Sequence, residues 1–150
     1  MQKRILLADD DLSIRQMLGR VLVSEHYEVV TAKTGRQAVE LCLKIPPDLV
    51  LLDLNMPDKD GWEAFCLMKT VLPMLPVIVL TARPNQFEKS VTMGVNALME
   101  KPLNLPLLLA SIRDILAESE MDYLRATTER SIKTVFLNCQ TEVLAKEKCP

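Results

Sequence analysis

The stretch "DLVLLDLNMPDKDG", residues 48–61, sets the architecture. Leu49, Val50, Leu51 and Leu52 form an unbroken apolar run that ends at the carboxylate of Asp53. A strand with one wet face alternates apolar and polar residues. An unbroken run reads instead as a strand covered on both faces, the pattern of a parallel sheet packed between helices. The residues from Asn55 to Gly61 are rich in turn formers and read as a loop.

The same design recurs on either side. Ile5 to Ala8 is a short apolar run that ends in Asp9, Asp10 and Asp11. "PVIVLTA", residues 76–82, is a second buried strand, with Thr81 near its end. "NALME", residues 96–100, is a short strand before Lys101-Pro102, and "YEVVTA", residues 27–32, is alternating and β-branched. Helical spacing fills the intervals. Ile14, Met17, Leu18, Val21 and Leu22 share one face, and Ala38, Leu41 and Cys42 share another before Pro46-Pro47 stops that helix. Further helices are expected over 62–71, over 85–94 with Gly94 as a cap, and over 104–119 with Asn104 as N-cap. Five strands alternating with five helices predict an α/β fold, a doubly wound five-stranded parallel sheet with helices on both faces.

The pattern covers residues 1–118. Residues 119–150 form a C-terminal extension, expected to be helical because Ile132, Val135, Phe136, Cys139, Val143 and Leu144 fall at helical spacing. It is too short for a core of its own.

Composition sets limits on function. The 150 residues are 49% hydrophobic and 25% charged, as in an ordinary globular chain, and the formal net charge of -2 argues against nonspecific nucleic-acid binding. Cys42, Cys66, Cys139 and Cys149 form no CxxC pair, so a zinc site is not expected. Cys42 and Cys66 read as small core residues. Only four apolar residues separate Arg4 from the acids, so a signal peptide is not expected, and no uninterrupted apolar stretch approaches the ~18 residues of a membrane span. His26 reads as a loop residue, and the methionines mostly as core filler.

In an open parallel sheet, ligands bind beyond the carboxyl ends of the strands. Asp9, Asp10, Asp53, Thr81 and Lys101 all fall there. Any one of them alone reads as a loop residue, a cap, a β-former or surface charge. Together they make chemical sense. Close carboxylates repel, and a divalent cation with a taste for oxygen, such as Mg2+, removes that repulsion. A hydroxyl and an ammonium suit phosphate oxygens, and a carboxylate can attack phosphorus to give an aspartyl phosphate.

The ordered set "ADDD" at 8–11, "LLDLNMPDKDG" at 51–61, "VLTA" at 79–82 and "EKP" at 100–102 resembles the receiver domain of two-component response regulators, the CheY-like fold. The resemblance covers roughly residues 2–118. It implies a flavodoxin-like sheet of strand order 2-1-3-4-5. It also implies that Asp53 is the phosphoacceptor and that Mg2+ is held by Asp9, Asp10, Asp53 and the backbone carbonyl of Asn55. Thr81 and Lys101 would meet the phosphoryl oxygens, and the Lys101-Pro102 bond would be cis. The implied phosphodonor is a sensor histidine kinase or a phosphotransfer protein, and the implied output is a downstream protein target or a homodimer formed on phosphorylation. The resemblance further implies a bacterial, cytoplasmic setting. Direct nucleic-acid contact is not expected in this chain because no helix-turn-helix with a basic recognition face is present in the sequence pattern, and no membrane contact is expected. No enzymatic activity is implied beyond self-phosphorylation and autodephosphorylation at Asp53.

Some residues depart from that family. Leu98 stands three residues before Lys101, where the family usually has an aromatic, which puts the usual threonine–aromatic coupling in question. Ala82 is small and leaves the acceptor open, while Asn55 and Arg83 flank the site. Asp11 is a solvated neighbour or the cap of the first helix, a role for which Ser13 and Gln16 compete. Three other readings compete with the receiver. One is a truncated N-terminal receiver of a DNA-binding transcriptional regulator. Another is a phosphohydrolase of the haloacid dehalogenase type, which wants a second acid at position 55. The third is a pseudo-receiver that never takes phosphate.

Overall fold

Asp53 closes β3 (Leu49–Asp53), a strand buried along its whole length. The computed structural model describes residues 2–125, 134–137 and 142–144. The chain divides into two compact units, Met1–Leu75 and Pro76–Pro150.

In the first unit, β1 (Arg4–Ala8) lies between β2 (Glu28–Ala32) and β3, parallel to both. Leu6 pairs with Val30 on one side and with Val50 on the other. This explains why β1 and β3 are continuous apolar runs while β2, at the edge, is only half-buried. Each fully buried leucine of these runs contributes about 1.5–3 kcal/mol.

The helices begin where the sequence supplies caps. Helix α1 (Leu12–Ser24) opens on Asp11, whose carboxylate accepts from the N–H groups of Ser13 and Ile14 at 2.8 and 3.3 Å. That settles the cap in favour of Asp11. Thr34 caps α2 (Gly35–Lys44) through Gln37 N–H, and Asp60 caps α3 (Gly61–Val71) through Trp62 N–H. Helices α2 and α3 pack against each other. Cys42 is buried as expected, but Cys66 is exposed. Trp62, Phe65 and Met68 recur in steps of three and set the buried face of α3, which leaves Cys66 outside it.

In the second unit, β4 (Val77–Thr81) and β5 (Ala97–Glu100) run parallel, with α4 (Phe87–Met93) between them in sequence. Gly94 ends α4 at φ 82, a left-handed cap that glycine takes without strain. Asn104 Oδ1 accepts from Leu107 N–H at 3.1 Å at the start of α5 (Leu105–Arg125).

Helix α5 runs past residue 118 to Arg125, and the chain beyond it departs from the helical expectation. Val135–Leu137 is a strand, β6, parallel to β5, and Glu142–Leu144 is a strand, β7, antiparallel to β6. The run Thr134-Val135-Phe136-Leu137 is β-branched and aromatic and completes the open edge of β5, so pairing overrides the apparent helical period. Ile132 and Cys139, also part of that helical reading, lie outside the described residues.

The sheet order is β2-β1-β3-β4-β5-β6-β7. Its first five strands have the order 2-1-3-4-5 that the resemblance implies, and the five-stranded expectation is corrected to seven strands among the described residues. No helix among the described residues is long and apolar enough to cross a membrane.

Candidate functional site

In the first unit, the ends of β1 and β3 bring three carboxylates together. One oxygen from each of Asp9, Asp10 and Asp53 lies within 4.8 Å of the others. Asp9 and Asp53 are only 1% and 3% exposed, while Asp10 faces solvent. Two of these anions are therefore held largely out of water, which raises the cost of their repulsion.

The local backbone answers part of that cost in the same way twice. Asp11 N–H donates to Asp9 Oδ1 at 2.9 Å, and Asn55 N–H donates to Asp53 Oδ1 at 3.2 Å. Each buried carboxylate thus closes a turn on the residue two places ahead, which fixes its rotamer. Arg15, one turn into α1, reaches back and donates through Nη1 to the Asp9 carbonyl at 2.7 Å. Nothing in the sequence pattern singles out Arg15, because a cation on an exposed helix face is ordinary.

Two glycines pin the loop beyond Asp53. A Cβ on Gly61 would stand 2.5 Å from Leu54 Cα and 2.8 Å from the Asp53 carbonyl oxygen. Gly61 N–H also donates to the Leu54 carbonyl at 3.0 Å, so α3 starts directly against the end of β3. A Cβ on Gly35 would stand 2.6 Å from the Lys59 carbonyl oxygen. Gly61 is legible as a turn residue of the quoted stretch. Gly35 is not, because its constraint comes from a loop more than twenty residues later.

The oxygen-donor set fits Mg2+. Octahedral coordination at about 2.1 Å places ligand oxygens about 3.0–4.2 Å apart, and these three carboxylate oxygens already lie within 4.8 Å of one another. Asp9, Asp10 and Asp53 would supply three of the oxygens, with room for carbonyl, water or phosphoryl oxygens in the rest.

In the second unit, Thr81 ends β4 fully buried, and its Oγ1 accepts from Arg83 N–H at 2.9 Å. Lys101 N–H donates to the Thr81 carbonyl at 2.8 Å, so the two residues sit at adjoining strand ends. The Lys101-Pro102 bond is cis, as the resemblance implies. Leu98 is fully buried, and Ala82 is exposed.

Comparison with known proteins agrees with this architecture. Residues 5–113 match the family described as the response regulator receiver domain. Response regulator MprA of Mycolicibacterium vanbaalenii is 37% identical over 124 residues, which span 81% of this chain and 54% of that protein. Transcriptional regulatory protein GlrR of Escherichia coli is 36% identical, over 77% of this chain and 26% of its own length. Among solved structures, a CheY-like response regulator receiver domain protein from Methanospirillum hungatei superposes with a TM-score of 0.78 at 30% identity, covering 81% of this chain and 99% of that one.

A parallel α/β sheet with an aspartate cluster at its strand ends is the architecture of CheY-like receiver domains. This chain belongs to the response-regulator receiver domain family of two-component signalling. It spans about half the length of MprA and about a quarter of GlrR. Receiver domains generally bind Mg2+ at an acidic pocket, and this chain carries an aspartate cluster of that kind. The matches favour a receiver over the haloacid dehalogenase alternative.

Proposed function

We propose that Asp53 accepts a phosphoryl group from the phosphohistidine of a sensor histidine kinase or phosphotransfer protein, at a site that uses Mg2+. The observation that carries this reading is the convergence of Asp9, Asp10 and Asp53 within 4.8 Å, with two of the three buried. A pocket of anions beyond a parallel strand has little structural value by itself, but it suits a cation and a phosphate.

An Asp53 carboxylate oxygen attacks phosphorus in line. The bond from phosphorus to the donor nitrogen breaks, and the donor imidazole leaves with the electron pair. The Asn55 N–H on Asp53 Oδ1 steadies the nucleophile's orientation. Asp9 and Asp10, with the Asn55 carbonyl, would hold Mg2+, which when bound offsets negative charge on the carboxylates and the transferring group. The Thr81 hydroxyl and Lys101 ammonium would bind the remaining phosphoryl oxygens. Charge neutralisation and positioning are most of what phosphoryl transfer asks of a protein. Water later attacks the acyl phosphate and returns Asp53 as a carboxylate.

Phosphorylation then biases a two-state equilibrium and changes which protein contacts, a downstream target or a second copy, the domain makes. The setting that suits this cycle is the cytoplasm. The test uses a small donor. Incubation with acetyl phosphate and Mg2+ should add one phosphoryl group by intact mass, and chelation of Mg2+ or Asp53→Asn should prevent it. An adduct that persists in Asp53→Asn would contradict the proposal.

A further inference from the structure

Strand β6 and the groups that hold it all lie in the second unit. The Thr134 hydroxyl, on a residue only 2% exposed, donates to the Val95 carbonyl at 2.6 Å. Val135 N–H donates to the Asn96 carbonyl at 3.0 Å. Asn96 in turn ties β4, since its Oδ1 accepts from Val77 N–H and its own N–H donates to the Val77 carbonyl, both at 3.0 Å. The strand is thus fastened where β4 and β5 begin. Further along, the Phe136 ring lies 5.2 Å from that of Phe87, and Leu137 is fully buried. The register partners on β5, Ala97, Leu98 and Met99, are buried too.

An apolar strand left at a sheet edge is a template for another strand. The edge of β5 is selective as well. It takes a hydroxyl at the first position, a ring at the third and an aliphatic side chain at the fourth. Thr134-Val135-Phe136-Leu137 meets that pattern, and every copy of the chain carries it. The residues 126–133 join α5 to this strand. A connector of that length spans up to about 29 Å when extended, against about 10 Å between packed elements. Its length therefore does not decide which copy's β5 the strand enters.

We infer that β6 is exchangeable: the edge of β5 is a docking site for the β6 of a second copy, and two copies that trade this strand form a closed dimer. Strand β7, paired antiparallel to β6, travels with it. The closed monomer and the exchanged dimer make the same contacts at β5, so those contacts cancel between them. What remains is the effective concentration of a strand tethered by a short connector, which places the dimer dissociation constant at about 1 mM. The chain is then a monomer when dilute and exchanges strands where copies are gathered. This holds whether or not Asp53 takes a phosphoryl group.

The test traps the strand where it sits. Ala97 and Val135 are register partners on neighbouring strands. The full chain carrying Ala97→Cys and Val135→Cys is held for a day at about 0.01 mM and at about 1 mM, then mildly oxidised. The disulfide between positions 97 and 135 is mapped by peptide mass spectrometry after a non-reducing gel. It should join one chain to itself in the dilute sample and join two chains in about half of the concentrated one. A disulfide confined to single chains at both concentrations overturns the exchange, and so does its failure to form. The wild-type protein gives a second reading without substitution. Sedimentation over the same range should show the mass rising from one copy toward two, with hydrogen exchange at 97–100 unchanged because β5 is covered in both forms. A mass that stays at one copy, or faster exchange at 97–100 in the dimer, overturns the inference. Leu137→Asp puts a carboxylate at a fully buried position and should abolish the dimer. A dimer that survives this change uses another surface, and strand exchange is then wrong.

Discussion

The ends of β1 and β3 and the ends of β4 and β5 are made of opposite chemistry. In the first unit, three carboxylates crowd within 4.8 Å, and backbone N–H groups at 2.9 and 3.2 Å hold the two buried ones. In the second unit, the corresponding strand ends carry a buried hydroxyl and a lysine, linked through one backbone hydrogen bond of 2.8 Å. The first arrangement is uncomfortable without a cation, and the second is not. Under the proposed function, the acids are the candidates for holding Mg2+, and the threonine and lysine are the candidates for meeting phosphoryl oxygens.

Substitutions can separate the two roles. The largest expected effect is Lys101→Ala, which should slow labelling by acetyl phosphate about 10²–10³-fold without weakening Mg2+ affinity, measured by calorimetry. A matching loss of Mg2+ affinity would erase the distinction between the two units. Asp10→Asn should do the reverse. Calorimetry should show Mg2+ affinity about 10–100-fold weaker even with no phosphoryl donor present.

Gly61→Ala probes the first unit from the packing side. A methyl group 2.5 Å from Leu54 Cα must push apart α3 and the end of β3. Urea unfolding should show a loss of about 1–3 kcal/mol. The same change at Gly19, where nothing lies within 4 Å of a Cβ, should cost no stability.

The smallest effect is also in the first unit. Burial pushes the Cys42 thiol up from 9.0 to about 11. The unfolded chain therefore loses that proton first as pH rises. Stability from this group is intact below pH 9, starts to fall above it, and stops falling beyond pH 11. At about pH 10 the loss is about 1.4 kcal/mol. Denaturant midpoints for wild type and Cys42→Ala should converge across that window, and parallel curves would show that the thiol does not contribute.

The two units also differ in how far the sequence discloses them. Asp53 is legible because an apolar run buried on both faces has to end somewhere, and a carboxylate at that end is conspicuous. Asp9 and Asp10 are legible for the same reason, and Asp11 resolves into a cap once its two N–H partners are seen. Strand β6 is not legible. A three-residue strand carries no period of its own, and its pairing with β5 is a long-range contact that local spacing cannot report. Val135, Phe136, Val143 and Leu144 happen to fit a helix as well as they fit two short strands. Cys66 fails for a related reason, since an apolar neighbourhood does not say which face of a helix is inside. Arg15 bonds a backbone carbonyl and Gly35 lies against one, and a carbonyl partner leaves no mark on residue type.

If the acids of the first unit exist to make Asp53 a phosphoacceptor, hydroxylamine should reveal it. Hydroxylamine attacks an acyl phosphate, displaces phosphate and leaves a stable hydroxamate on the carbonyl that carried it. Protein treated with acetyl phosphate and Mg2+, then hydroxylamine, and mapped by peptide mass spectrometry should carry one hydroxamate, on Asp53. A hydroxamate on Asp9 or Asp10 instead, or none in protein shown to be folded, would contradict the account.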